Sequence, residues 1–313
     1  MGRAIEIRRG ELLADRPELR LELVADTPWL SMSHGTLGAG GPTPPAHVHR
    51  EHADCFLVLE GGLRLALADG ERTVEGESWV QVPAGVVHTF APVERVRILN
   101  VHAPSAGYRG FIERLARAAG PEDVYRAREG FDQHDPPEGG GLDPGAAVAV
   151  QLGGDGGVGS TEPPGSPGAG VAGAGAGRGE PITDRPERRV TLLADTSELA
   201  VTESVYTPGE RGPDPHVHYD HADAFVVLEG TLTFTLRGAS LQADAGTILV
   251  VPPVVVHSFA NDHDTDARFL NLHAPSCGFG DYLRGRYPGF DQHEPPADGG
   301  GDPAAVVATR LAD

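Results

Sequence analysis

His47 and His49 stand two residues apart, and so do His216 and His218. In a β-strand residues i and i+2 project to one face, so each pair can turn both imidazoles toward a common point. Asp54 and Asp223 follow five residues after the second His, and a third His comes later, His88 after Pro83-Ala84-Gly85 and His257 after Pro252-Pro253-Val254. Three imidazoles and a carboxylate suit a divalent first-row transition metal (Fe, Mn, Ni, Co, Cu or Zn) that keeps open coordination positions. A single HxH is weak, since surface or core histidines give the same pair. Its return with the same third His and the same acid leads to the expectation of one metal per copy.

Further residues recur around these sets. His102 and His273 follow Asn100 and Asn271 by two, so each His shares a strand face with its Asn. That face either lines the metal pocket, where the pair could orient substrate or shuttle a proton, or hydrogen-bonds the strand end beside Pro104 or Pro275. His52 and His221 read as exposed loop histidines or as groups at a pocket rim. Phe56, Phe90, Phe225 and Phe259 have the parity of the ligand residues, which suits an apolar pocket wall or plain core packing. Asp132 with His134, and Asp291 with His293, sit in a repeated Gly-Phe-Asp-Gln-His motif. That motif reads as a packed loop anchored by its Phe, or as a lid.

The elements that must position these residues come in two copies. HVHREHADCFLVLEG at 47–61 returns as HVHYDHADAFVVLEG at 216–230, with 11 of 15 positions identical and an offset of 169. The offset becomes 171 at LNVHAPS (99–105) and LNLHAPS (270–276), then 159 at the Gly-Phe-Asp-Gln-His motif, so the first copy carries 12 extra residues before it. There Phe111, Ile112, Leu115 and Ala119 recur at near-helical spacing, and the pattern predicts a short helix ended by Gly120-Pro121. Elsewhere, short alternating runs rich in Val, Leu and Thr are punctuated by turns every 8 to 12 residues, which predicts an all-β sandwich or barrel. Residues 153–180 are Gly, Ala, Pro and Ser with almost nothing to bury, the composition of a linker between domains at 1–152 and 181–313.

Lys+Arg number 25 against 45 Asp+Glu, a net charge of -20 that would repel a phosphate backbone and argues against a nucleic-acid partner. Two cysteines in unlike contexts form neither a CxxC pair nor a disulfide framework. No run of about 18 apolar residues occurs, and the amino terminus is too charged for a signal peptide. A soluble, cytoplasmic protein with no membrane partner is the expectation.

The residues resemble the cupin superfamily. Its first motif, two His separated by one residue followed by Glu and Gly, is matched by His47, His49, Asp54 and Gly61 and by His216, His218, Asp223 and Gly230, with Asp in place of Glu. Its second motif is matched by Pro83, Gly85 and His88, with Glu77 and Pro92 departing, and by Gly246, Pro252, His257 and Asn261, with Val254 departing. The resemblance implies a bicupin, two jelly-roll (double-stranded β-helix) barrels with a minor helix. The shorter Asp leaves Asp54 and Asp223 open as metal ligands, as general bases beside a three-His centre, or as structural acceptors. Among cupins the residues are most similar to quercetinase-like dioxygenases, which implies an enol or enolate substrate, Asp54 or Asp223 as base, and phenylalanines that exclude water. A metal-dependent isomerase uses the same parts, and a non-catalytic binding or storage bicupin uses the metal alone. The complete ligand set in both copies favours activity. The barrels are expected to pair with each other as a pseudo-dimer within the chain, with a homodimer as a further option.

Overall fold

The computed structural model describes residues 5–39, 41, 43–153 and 177–312. Each copy folds into a jelly roll made of one large and one small antiparallel sheet. In the first copy the large sheet runs in the order Val148–Gln151, Ser78–Val82, Ala53–Glu60, Val96–Ala103, Ser31–Leu37, Leu19–Asp26 and Glu11–Arg16. The small sheet has Gly62–Leu67 between Gly70–Glu75 and His88–Pro92. The second copy repeats both sheets, with Ala222–Glu229 and Ala267–Ala274 at the centre of the large one. Most of the proposed linker, residues 154–176, lies outside the described residues.

Successive residues of the central strands point to two different cores. Phe56 and Val58 face inward and pack with Val80, Val82 and Ile98 between the sheets of the first roll. Cys55 and Leu57 face outward, where they join Met32, Trp79 and Leu99 and meet Val226, Ile248, Val250 and Leu270 of the second roll in one apolar cluster. The strand Ala53–Glu60 is therefore buried on both faces over most of its length, as its unbroken apolar run Cys55–Leu59 suits. Hydrogen bonds cross the same seam, from Gln81 Nε2 to Leu199 O at 3.1 Å and from Thr309 Oγ1 to Val24 O at 2.7 Å. Arg8–Arg9, from the start of the 1–152 segment, pairs in parallel with Thr309 and Arg310 and so extends the large sheet of the second roll.

The glycine that closes each first motif is set by close approach. Gly61 has φ 77°, and a Cβ there would lie 2.1 Å from Arg95 O. Gly230 has φ 70°, with Asp266 O at 2.2 Å. The second motif keeps its backbone where its residues depart. Val254 stands at φ 61° opposite Gly85 at 86°, and Glu77 at φ 59° opposite Gly246 at 81°.

Helix α1 spans Tyr108–Arg117, and a second helix, α2, spans Pro121–Arg126. The expected helix is thus two, with Ala119 between them. Pro121 occupies the first turn of α2, where a missing N–H costs nothing, so Gly120-Pro121 punctuates and restarts rather than ends the helical segment. The second copy keeps only Phe279–Leu283, helix α3, which has no distinct helical pattern in the sequence.

Candidate metal centre

The segment carrying His47 and His49 is held as a short β-bridge on both sides. His47 exchanges backbone hydrogen bonds of 2.9 Å with His88, and Val48 N–H donates to His134 O at 2.9 Å. Because His47 and His49 are both odd-numbered on this extended piece, their rings turn together toward His88 and Asp54. His216, Val217, His257 and His293 repeat the arrangement. The ligand atoms of His47, His49, Asp54 and His88 all lie within 4.8 Å of one another, as do those of His216, His218, Asp223 and His257, and all eight residues are buried.

Each of the six rings is oriented by a backbone carbonyl. The Nδ1–H of His47 donates to Pro45 O at 2.9 Å, that of His88 to Val86 O at 3.0 Å and that of His49 to Asp132 O. In the second copy His216 donates to Asp214 O, His257 to Val255 O and His218 to Asp291 O. A carbonyl can only accept, so Nδ1 carries the proton and Nε2 keeps a lone pair aimed into the cluster. Nε2 of His49, His218 and His257 is buried without any hydrogen-bond partner. Asp54 Oδ2 lies 3.6 Å from His49 Nε2 and 3.3 Å from His88 Nε2, and Asp223 Oδ2 lies 3.5 and 3.4 Å from the matching atoms. Ligands about 2.0–2.2 Å from one ion stand roughly 3–3.5 Å apart, so both donor sets fit a transition metal.

Protonation states agree with that fit. Burial, followed by the neighbouring imidazoles, takes His47 well below its ordinary pKa and His216 down to about 3, so both rings are neutral near pH 7. For Asp54 and Asp223 burial opposes ionisation, yet the surrounding imidazoles hold both carboxyls well below the usual range.

A pocket opens above the first cluster. His102, Asn100 and Phe90 line it, and His273, Asn271 and Phe259 line its counterpart. Asn100 donates from Nδ2 to Asp54 Oδ1 at 2.6 Å, and its Oδ1 accepts from Tyr108 Oη at 3.0 Å. His102 Nε2 lies 3.0 Å from the same Asn100 oxygen. Phe56 and Phe225 share the parity of these residues but are fully buried in the cores of their rolls.

The tail motif supports the clustered histidines as well as forming a packed loop. Phe131 is buried and stacks on Phe111 with centroids 4.6 Å apart, which anchors the loop. Besides its carbonyl on His49, Asp132 accepts at Oδ2 from Arg50 N–H (2.9 Å), Glu51 N–H (2.7 Å) and His52 Nδ1 (3.0 Å). Asp291 does the same for Tyr219, Asp220 and His221. His52 and His221 are fully buried, so the exposed-loop reading is corrected: a carboxylate brought in from 80 residues away receives the first ring and one from 70 residues away the second. His221 Nε2 also reaches His273 Nδ1 at 3.0 Å. Asp132 and Asp291 were legible only as parts of a repeated motif, whose shifted offset hid their partners.

Fold and site together define a metal-binding protein of two jelly rolls. The family described as Cupin domain matches residues 33–102 and 202–273. Quercetin 2,3-dioxygenase of Bacillus subtilis (strain 168) is 28% identical over 250 residues, covering 72% of this chain and 68% of that protein. Among solved structures, AerE from Microcystis aeruginosa aligns with a TM-score of 0.51 at 12% identity, covering 85% of this chain and 97% of its own. Lactobacillus farciminis oxalate decarboxylase in its formate complex aligns at 0.50 and 14%, covering 88% of each chain. The chain is a two-domain member of the cupin superfamily.

Proposed function

We propose that this bicupin is a metal-dependent dioxygenase acting on an enol or enolate-type small molecule. The observation that carries the reading is the intact donor set at the floor of an apolar pocket: three inward Nε2 lone pairs and an ionised carboxylate, with aliphatic and aromatic walls above them. Similarity to a quercetin 2,3-dioxygenase supports the same class. His47, His49, His88 and Asp54 would hold one divalent ion, and His216, His218, His257 and Asp223 a second. A bound ion of this kind would lower the pKa of a substrate hydroxyl and offer open positions to substrate and oxygen.

This chain's own residues do the rest. Asp54 is the only carboxylate lining the first pocket among the described residues, and it would take the hydroxyl proton. Asn100 fixes Asp54 Oδ1, and Tyr108 together with Ser33, whose hydroxyl lies 2.6 Å from Tyr108 Oη, fixes Asn100. Phe90 and Ile98 exclude water from the reacting face. The test is oxygen uptake by metal-loaded protein against flavonols, 1,3-diketones and catechols. Metal-dependent uptake matched by loss of one class is expected. No uptake across the panel, with both metals bound, would leave a binding module and overturn the reading.

A further inference from the structure

The two clusters carry the same donor residues at similar spacings, but the walls above them differ at positions the repeat makes equivalent. Leu19, Gly35, Leu37 and Ile98 line the first pocket. Their counterparts around the second are Arg188, Ser204, Tyr206 and Phe269. Arg188 places its guanidinium carbon 4.7 Å from the centre of the Tyr206 ring and donates to Glu210 at 2.6 Å, so a cation stands on the strand wall of the second pocket, whereas the cation lining the first, Arg128, comes from the turn after α2 and pairs with Asp135. The roofs differ as well. Leu115 of α1 and Val124 of α2 cover the first pocket, while the 12-residue difference leaves the second copy without a counterpart of α2.

The carboxylates are also held differently. Tyr108, which fixes Asn100 beside Asp54, is replaced by Phe279 in the second copy. There Asn271 donates to Ala224 O at 3.4 Å and not to the carboxylate, its Oδ1 lies 3.0 Å from His273 Nε2, and Asp223 Oδ1 lies 2.8 Å from His273 Nδ1.

From these differences we infer that the two centres are not equivalent: the amino-terminal pocket takes the planar, largely apolar enol, and the carboxy-terminal pocket does not. The inference rests on the proposed enol chemistry and assigns it to one of the two sites. A ring seated on Leu19, Leu37 and Ile98 removes apolar surface from water on both sides of the contact. The same ring in the second pocket would have to displace the Arg188–Tyr206 stack or lie against the Arg188–Glu210 ion pair and cover the Ser204 hydroxyl.

Calorimetric titration of the metal-loaded full chain with a flavonol, without oxygen, tests this. One flavonol per chain is expected. Gly35→Leu should fill the first pocket, because a Cβ at Gly35 meets nothing closer than 3.7 Å and the rest of the side chain then enters the cavity. It should weaken binding by about 10–100-fold, whereas Ser204→Leu, at the equivalent position, should leave it unchanged. Retention of two metals by each variant checks folding, and Leu37→Tyr serves if Gly35→Leu does not fold. Two flavonols per chain, or loss on Ser204→Leu and not on Gly35→Leu, would overturn the inference while leaving the enol reading intact. No binding of a flavonol, a 1,3-diketone or a catechol by a chain holding two metals would overturn both.

Discussion

At the scale of single residues, the site is a set of buried polar groups whose directions are fixed before any ion arrives. Asp132 illustrates how much depends on one side chain outside the donor set. Asp132→Ala leaves two backbone N–H groups and the His52 ring without an acceptor, and loosens the segment that aims His49. Loss of such outer support typically costs 10–100-fold in affinity, so metal titration of this variant should show one site weakened by about that factor and the second unchanged. Two unaltered sites would remove the supporting role. The imidazoles also set the response to acid. Burial lowers His216 to about 3 and His273 to about 4, whereas an unfolded imidazole titrates near 6.5. Below about 6.5 the unfolded chain binds protons that the fold refuses, so stability is present above that pH and is lost as pH falls toward 4. The midpoint of thermal unfolding of chelator-treated protein should therefore drop between pH 7 and pH 5, and the metal-loaded protein should drop more steeply because protons compete with the ion. An unchanged midpoint in the metal-free protein would mean that these rings accept protons within the fold.

At the scale of elements, the turn before the third histidine offers the clearest prediction. Val254 holds a left-handed backbone that suits Gly85 in the first copy, and its N–H and carbonyl both make 2.7 Å bonds, to His218 O and from Gly301 N–H. A β-branched residue there carries a conformational cost of about 1–2 kcal/mol, part of which Gly would return through greater freedom in the unfolded chain. Val254→Gly should raise stability by up to about 1 kcal/mol without loss of metal, measured by denaturant unfolding; a destabilised variant would show that the Val side chain contributes more than the strain it carries. The same turn shows what could be read from sequence and what could not. His47, His49 and their repeat were legible because strand parity alone makes i and i+2 converge. The left-handed turns at Glu77 and Val254 were visible only as departures from a motif, since neither residue type advertises a positive φ. Burial of His52 and His221 was illegible because their acceptors, Asp132 and Asp291, come from a distant loop whose spacing to the ligands differs between the copies. Helix α2 was hidden by its own Pro121, which reads as a stop although it also suits a first turn.

At the scale of the whole molecule, one feature of the strands is explained only by the second copy. Cys55, Leu57 and Trp79 point away from their own core and would be exposed if the rolls were separate, yet each is almost completely buried in the cluster shared with Val226, Val250 and Leu270. The parallel pairing of Arg8–Arg9 with Thr309–Arg310 adds a second tie, between the two ends of the described chain. On the reading of residues 153–180 as a linker, the covalent connection would serve chiefly to raise local concentration. Proteolysis within that segment should leave the two fragments eluting together at the size of the intact chain in native gel filtration. Dissociation should require dilution or denaturant, because apolar surface of this extent is not left in water by a stable monomer. Fragments that elute separately at the size of single rolls, each still binding metal, would show that the shared cluster does not hold the rolls together once the chain is cut.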